Sequence, residues 1–336
     1  MQSKTKVLLI RFSSFGDVTQ ALSLPSKLKE HFQNAEIHWV TREDYKSLLE
    51  DHPHIDRIWL FNRKKGFVSL AKLAWQLRQQ NFTHVYDAHN NLRSLVIYTL
   101  TTFLKFNQKI RRPIYRWRRF LLFKLRINRF EMPFSGQRDL IEPLQGWGIN
   151  KHLPTAPQIF LQPATESKAL EKIHSLRRPF FTLAPSAAYF LKRWPKDYWK
   201  ELIRLLPEYD FVLLGGPEDQ FLKDIVAEAP NRCLNLAGAL DYKTNAAIIK
   251  KSKALVSNDT GLMHIAEQLG HPCLALLGPA PFGFPSRSST LKMELPLACR
   301  PCSKHGQGPC VNPYHHQCLV DIKPQTVATE LLKWIG

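Results

Sequence analysis

Apolar residues along this chain fall in short continuous runs, separated by polar turns and amphipathic stretches. That is the rhythm of strands buried on both faces alternating with helices. Lys6-Val7-Leu8-Leu9-Ile10 predicts a first strand, and residues 37–40, 58–61 and 84–88 predict three more, with helical spacing near 45–49 and over 68–77. Pro154, Pro157 and Pro163 break the pattern between about residues 150 and 178. The rhythm then restarts, with strands over 180–185, 211–216, 254–256 and 273–277 and helices over 198–206 and 221–227. The expected fold class is α/β: two Rossmann-like parallel-sheet domains, residues 1–165 and 166–336, facing a central cleft. The last helix is a candidate to pack back on the first domain.

In such sheets ligands gather at the carboxyl ends of the strands, so the polar turns there carry the chemistry. The first strand runs into Ser13-Ser14-Phe15-Gly16-Asp17, which delivers a carboxylate at the mouth of a helix. One glycine in that turn is too few for a dinucleotide fingerprint, and no Gly-Lys-Ser/Thr loop occurs, so hydride transfer and P-loop hydrolysis lose support. The strand near 254–256 leads into Ser257-Asn258-Asp259-Thr260-Gly261-Leu262-Met263-His264. Here Asp259 or Thr260 would cap a helix, Gly261 would let a ligand approach the backbone, and His264 would point back toward the turn. The free N–H groups and positive dipole end of that helix suit a phosphate, although an N-capped helix in any α/β protein looks the same. Ser186 and Lys192, the latter just before Trp194, place a hydroxyl and a cation where a departing pyrophosphate needs them. Gly215-Gly216-Pro217-Glu218-Asp219 offers carboxylates for ribose hydroxyls, or a plain turn with a capping acid. Asn90, Asn91 and Arg93 lie just past the strand at 84–88, as acceptor contacts or as ordinary loop polarity.

Charge narrows the partners. The formal net charge is +19, and residues 105–138 hold eleven Lys or Arg, among them Arg111 and Arg112, against the single acid Glu131. Trp117, Phe120 and other apolar residues are interleaved, so the segment predicts a basic amphipathic helix suited to an anionic membrane surface or a polyanionic substrate. Nucleic acid fits the charge too, and a solvated basic face is the alternative without a partner. No apolar run reaches membrane-spanning length and the start of the chain is not signal-like, so the expectation is a cytoplasmic protein.

Four elements in this order and spacing, Ser13-Ser14-x-Gly16-Asp17, Lys192-x-Trp194-Pro195, Gly215 through Asp219 and Asp259 through His264, resemble glycosyltransferase family 9, the ADP-heptose:lipopolysaccharide heptosyltransferases. The resemblance covers nearly the whole chain. It implies the GT-B architecture, with an acceptor-binding first domain and a donor-binding second. It also implies inverting, metal-independent transfer of heptose from ADP-heptose to the lipopolysaccharide inner core, a Kdo- or heptose-bearing lipid A acceptor, by a protein peripheral to the inner membrane, at its inner-leaflet surface. By the same resemblance Asp17 is the general base, and Lys192 contacts donor phosphate. Asp259, Thr260, Gly261 and His264 hold the diphosphate and nearby sugar, and Glu218 or Asp219 the nucleoside. Ser13, Ser14, Gly16 and Ser186 complete the donor set, while Asn90, Arg93, Arg111 and Arg112 are the acceptor candidates. No cofactor is required. The competing readings are a noncatalytic polyanion binder, with nucleic acid the disfavoured partner, and a family 9 transferase using a different nucleotide sugar.

Cys299, Cys302, Cys310 and Cys318 follow the pattern C-x2-C-x7-C-x7-C, with His305, His315 and His316 nearby. The set could supply a tetrahedral zinc, but its two long gaps are unlike paired zinc knuckles, and unligated loop thiols are favoured over structural zinc. Cys233 and Cys273 lie on apolar runs, as small core residues.

Overall fold

A computed structural model describes residues 4–335 of the chain. Its elements are β1 (Lys6–Ile10), α1 (Phe15–Ala21), α2 (Ser23–His31), β2 (Glu36–Arg42), α3 (Lys46–Leu49), β3 (Arg57–Phe61), α4 (Gly66–Arg78), β4 (His84–Asp87), α5 (Leu92–Thr102), β5 (Gln108–Arg111), α6 (Arg116–Lys124) and α7 (Arg138–Ile141). They continue with α8 (Pro163–Ile173), β6 (Phe180–Ala184), α9 (Lys196–Leu205), β7 (Asp210–Leu213), α10 (Leu222–Val226), β8 (Cys233–Asn235), α11 (Tyr242–Lys251), β9 (Leu255–Asn258), α12 (Gly261–Leu269), β10 (Cys273–Leu276), β11 (Thr290–Met293), α13 (Gln317–Val320) and α14 (Pro324–Ile335).

Two compact units result, one running to Tyr115 and resuming over Gln137–Phe160, the other made of Arg116–Gly136 and the rest of the chain from Leu161. The first holds a five-stranded sheet, β3-β2-β1-β4-β5, with every pairing parallel. Leu8, Ile10, Val40 and Val85 pack there with Leu70, Leu73, Ala74 and Leu77 of α4 in one apolar cluster. The second holds a six-stranded parallel sheet, β11-β10-β9-β6-β7-β8. Its core gathers Phe181, Phe211, Val256 and Leu274 with Trp194 and Trp199. In each sheet the strand order reverses once, between β1 and β4 and between β6 and β9. Crossovers leaving in opposite directions open a crevice at such a point, beyond the carboxyl ends of the two strands.

Four expectations are corrected. Residues 116–136 belong to the second unit, because Phe123, Phe130 and Phe134 ring Phe282, and Ser135 donates to Ser286 at 2.7 Å. The basic segment is not one helix: only Arg116–Lys124 is helical, and β5 takes Gln108–Arg111. The proline-broken stretch contains α8, since Pro163 occupies its first turn, where the missing N–H costs nothing. The closing helix α14 packs on α9 within the second unit, burying Val327 and Leu331. Among the described residues no helix is long and apolar enough to cross a membrane.

Candidate active site

At the reversal point of the first sheet β1 is followed by Arg11, a residue only 4 % exposed. Its Nη1 donates to the carbonyl of Ala88 beyond β4 at 2.6 Å, and its Nη2 pairs with Asp17 Oδ2 at 2.7 Å. Asp17 is the third residue of α1 and reaches back, so that the backbone N–H and hydroxyl of Ser14 donate to the same Oδ2 at 3.2 and 2.8 Å. This is a capping arrangement that holds the carboxylate in one pose. Oδ1 has no protein donor among the described residues, and the side chain keeps 41 % of its surface. Crowding by the turn would raise the Asp17 pKa. The Arg11 guanidinium, the Ser14 hydroxyl and the charge of Arg112 outweigh that and hold it well below the usual carboxylate range.

The end of β4 supplies the rest of this crevice. Asp87 is fully buried and accepts from the N–H groups of His89 and Asn90, from Ser94 Oγ at 2.9 Å and from Arg111 Nε at 3.2 Å. Arg111 also donates to Asn90 Oδ1, so Asn90 and Arg111 shape the loop. Arg93 and Arg112, by contrast, make no side-chain hydrogen bond or ion pair among the described residues, and the charge of Arg112 is felt by both Asp17 and Arg11. His89 stands in the same field. Burial first, and then Arg11, push its pKa down to about 4, and its Nδ1 is buried without a hydrogen-bond partner among the described residues. Arg11, Asp87 and His89 were missed from the sequence; Arg11 alone left a signal there, as a cation closing an apolar strand.

The reversal point of the second sheet carries the other candidates. Lys192 follows β6 and Asp259 follows β9, and their side chains pair at 2.6 Å. The turn is locked beneath them: Asn258 Oδ1 accepts the Trp194 N–H at 3.1 Å, while Asn258 Nδ2 donates to the Pro185 carbonyl at 2.6 Å. Trp194 is buried and donates from its indole to Ile322 O at 2.8 Å. Thr260, not Asp259, caps α12, accepting from the Leu262 N–H, and Gly261 opens that helix. His264 is buried on the same first turn and pairs through Nδ1 with Glu267 at 2.8 Å. The structure separates Glu218 from Asp219. Asp219 is buried and accepts from Ser186 Oγ at 2.6 Å and the Gly216 N–H at 2.7 Å, whereas Glu218 is exposed and lies over Gly216.

The model of glycosyltransferase family 9 (heptosyltransferase) matches residues 70–312. The chain belongs to glycosyltransferase family 9. Lipooligosaccharide heptosyltransferase 2 of Haemophilus ducreyi is 29 % identical over 350 residues, covering 97 % of this chain and 98 % of that protein. Lipopolysaccharide heptosyltransferase 2 of Escherichia coli K12 is 28 % identical over 356 residues, covering 97 % of each. Among solved structures, the E. coli ADP-heptose lps heptosyltransferase II superposes with a TM-score of 0.75 at 24 % identity over 98 % of both chains. A family 9 glycosyl transferase from Veillonella parvula gives 0.78 at 18 % identity, over 100 % of this chain and 98 % of that one. These likenesses carry the GT-B class of fold, and family membership makes the chain a glycosyltransferase, which sets the noncatalytic polyanion binder aside.

In this family 9 chain the four cysteines belong to residues 294–316 and the helix after them, and they line one cavity of about 10 Å³ with Asn312 and His316. All are free thiols. Among the described residues no three His, Cys, Asp or Glu side chains are placed so that they could hold a metal ion. Burial, and then the neighbouring thiols, push Cys302 upward in pKa; burial takes Cys318 up to about 12. This segment backs the Lys192 turn. His316 Nε2 lies 2.9 Å from the Leu191 carbonyl, and a Cβ at Gly306, whose φ is 82°, would stand 2.6 Å from Lys192 Cγ.

Proposed function

We propose that this family 9 chain transfers heptose from ADP-heptose to a lipopolysaccharide inner-core acceptor, with inversion at the anomeric carbon. The observation that carries the reading is the polarity of the two reversal points: one presents an ionised carboxylate with an open oxygen, the other an ammonium beside a helix N-terminus. The acceptor hydroxyl oxygen attacks the anomeric carbon and its proton passes to Asp17 Oδ1. The bond from that carbon to the phosphate oxygen breaks, and ADP leaves with the electron pair. Lys192 and the first turn of α12, from Thr260 and Gly261, take up the charge that grows on the leaving diphosphate.

Asp259 orients Lys192 and offers its second oxygen to a donor hydroxyl, and His264, held by Glu267, lines the same turn. Glu218 receives the ribose hydroxyls, while Asp219 and Ser186 hold its turn in shape. Ser13 and Gly16 flank the carboxylate, and Ser14 fixes it. On the acceptor side Arg93 and Arg112 bind the anionic groups of the inner core, with Asn90 and Arg111 setting the loop. The exposed, stacked Trp117 and Phe120 of basic α6, centroids 5.4 Å apart, support contact with acceptor phosphates and headgroups of the inner leaflet, from the cytoplasmic side.

Incubation with ADP-heptose and a Kdo-lipid A acceptor, with or without a first heptose, followed by mass spectrometry, tests this. Gain of one heptose by either acceptor with release of ADP is the expected result. Transfer from a UDP-sugar but not from ADP-heptose overturns the donor, and no transfer to either acceptor overturns the reaction.

A further inference from the structure

Helix α4 is apolar on two sides. Leu70, Leu73, Ala74 and Leu77 face the core of the first unit, as helical spacing requires. The opposite side presents Phe67, Val68 and Trp75 to solvent, at 63, 84 and 62 % exposure, with Lys72 among them. An amphipathic surface helix has polar residues there, so this face is built to be covered.

The patch continues past the end of the neighbouring helix. α4 packs along α5, and Arg78 of α4 donates to the carbonyls of Leu100 and Phe103 at 2.9 and 2.7 Å. Lys105 reaches back to the Arg78 carbonyl and to Asn81 Oδ1. These bonds hold an exposed apolar knuckle, Phe103, Leu104 and Phe106, beside the end of α4. Leu104 sits at φ 52°, a left-handed conformation that costs a branched side chain free energy, and yet it is 83 % exposed. Folding alone gains nothing from that placement.

Charge decides the occupant. Between Arg57 and Tyr86 the chain has six Lys or Arg and no Asp or Glu, with Arg63, Lys64 and Lys65 at the start of α4. A second copy would set like charges face to face. An anionic bilayer instead receives aromatic and aliphatic side chains at the acyl boundary and cations among its headgroups.

We propose that the outer face of α4 and the 103–106 knuckle form a membrane-docking surface, on which the first unit lies against an anionic bilayer with Phe67, Val68, Trp75 and Leu104 entering the interface. The proposal rests on the transferase reading only for its purpose, which is to keep the enzyme beside a lipid-linked acceptor. It is distinct from the contact assigned to α6.

The test is flotation of the full-length chain with phosphatidylcholine vesicles, with and without ~30 % phosphatidylglycerol, no glycolipid being present. Binding to the anionic vesicles that weakens with salt is expected. The surface variant Phe67→Ser/Val68→Ser/Trp75→Ser, and separately Lys64→Glu/Lys65→Glu, should each lower partitioning by more than ~10-fold with an unchanged circular dichroism spectrum and melting temperature. Transfer to a short detergent-free acceptor should stay at the wild-type level. Wild-type protein that ignores anionic vesicles, or variants that float as well as wild type, overturn the docking surface. So does a wild-type dimer in gel filtration that the apolar variant converts to monomer. Vesicle binding without heptose transfer would overturn the transferase reading and leave the docking surface standing.

Discussion

The two reversal points are built alike and charged oppositely. In the first unit a buried arginine, Arg11, holds an aspartate that keeps 41 % of its side-chain surface; in the second a buried aspartate, Asp259, 6 % exposed, holds Lys192. The buried member of each pair cannot change partners cheaply, because an unpaired charge at that depth is strongly destabilising. The more accessible member, Asp17 at 41 % and Lys192 at 16 %, is therefore the group we propose is offered to a ligand, negative on one sheet and positive on the other. One charge-pair device at two equivalent places presents opposite charges, and the proposed base and the proposed anion anchor differ only in which partner is the more deeply buried.

The sharpest way to break this contrast is Asp17→Asn. General-base help is worth roughly 10²–10⁴-fold, so turnover should fall by that factor while calorimetric ADP affinity stays unchanged. Near-wild-type turnover would mean the exposed carboxylate is not the base. Lys192→Met should cost about 10²–10³-fold in kcat and also weaken ADP, because the cation meets the leaving group in both ground and transition states. An unchanged ADP affinity there would place the diphosphate elsewhere.

Arg11→Gln sharpens the comparison through pH. Arg11 lowers the Asp17 pKa in the folded state, so the stabilisation from this pair is full above the ordinary carboxylate range and is lost as pH falls. Without the guanidinium Asp17 titrates higher, so the acid limb of kcat/KM should move to higher pH and resistance to acid unfolding should drop. A limb that stays in place would show that another group governs it. The smallest effects separate the neighbouring acids of the second unit. Glu218→Gln should raise the donor KM by about 10-fold without altering melting, on the scale of one hydrogen bond to a charged group. Asp219→Asn should instead destabilise the fold by about 1–3 kcal/mol in a denaturant titration, by loosening the Ser186 and Gly216 bonds.

Much of this was legible in the chain. Strands buried on both faces leave continuous apolar runs, and the residues that follow them fall at the carboxyl ends of the sheet whatever the details. That is why Asp17, Lys192 and the turn at Asp259 could be placed. Pairing was not legible. Nothing in the spacing says that Arg11 turns inward to Asp17, or that Asp219 and not Glu218 is buried, because these choices depend on contacts made across strands. Pro163 reads as a breaker and acts as a helix opener, which only the backbone around it decides. The aromatic ring around Phe282 joins residues more than 140 positions apart in sequence, so the transfer of 116–136 to the second unit had no local signature.

The Asn258 amide bears on how the second unit would meet the proposed donor. Because one side chain ties the Pro185 carbonyl to the Trp194 N–H across the loop after β6, the stretch that carries Lys192 is braced and Lys192 is paired with Asp259 without a nucleotide. Recognition there should proceed with little loss of backbone freedom, and the amide exchange rates around Trp194 should be as slow in the free protein as in the ADP-saturated one.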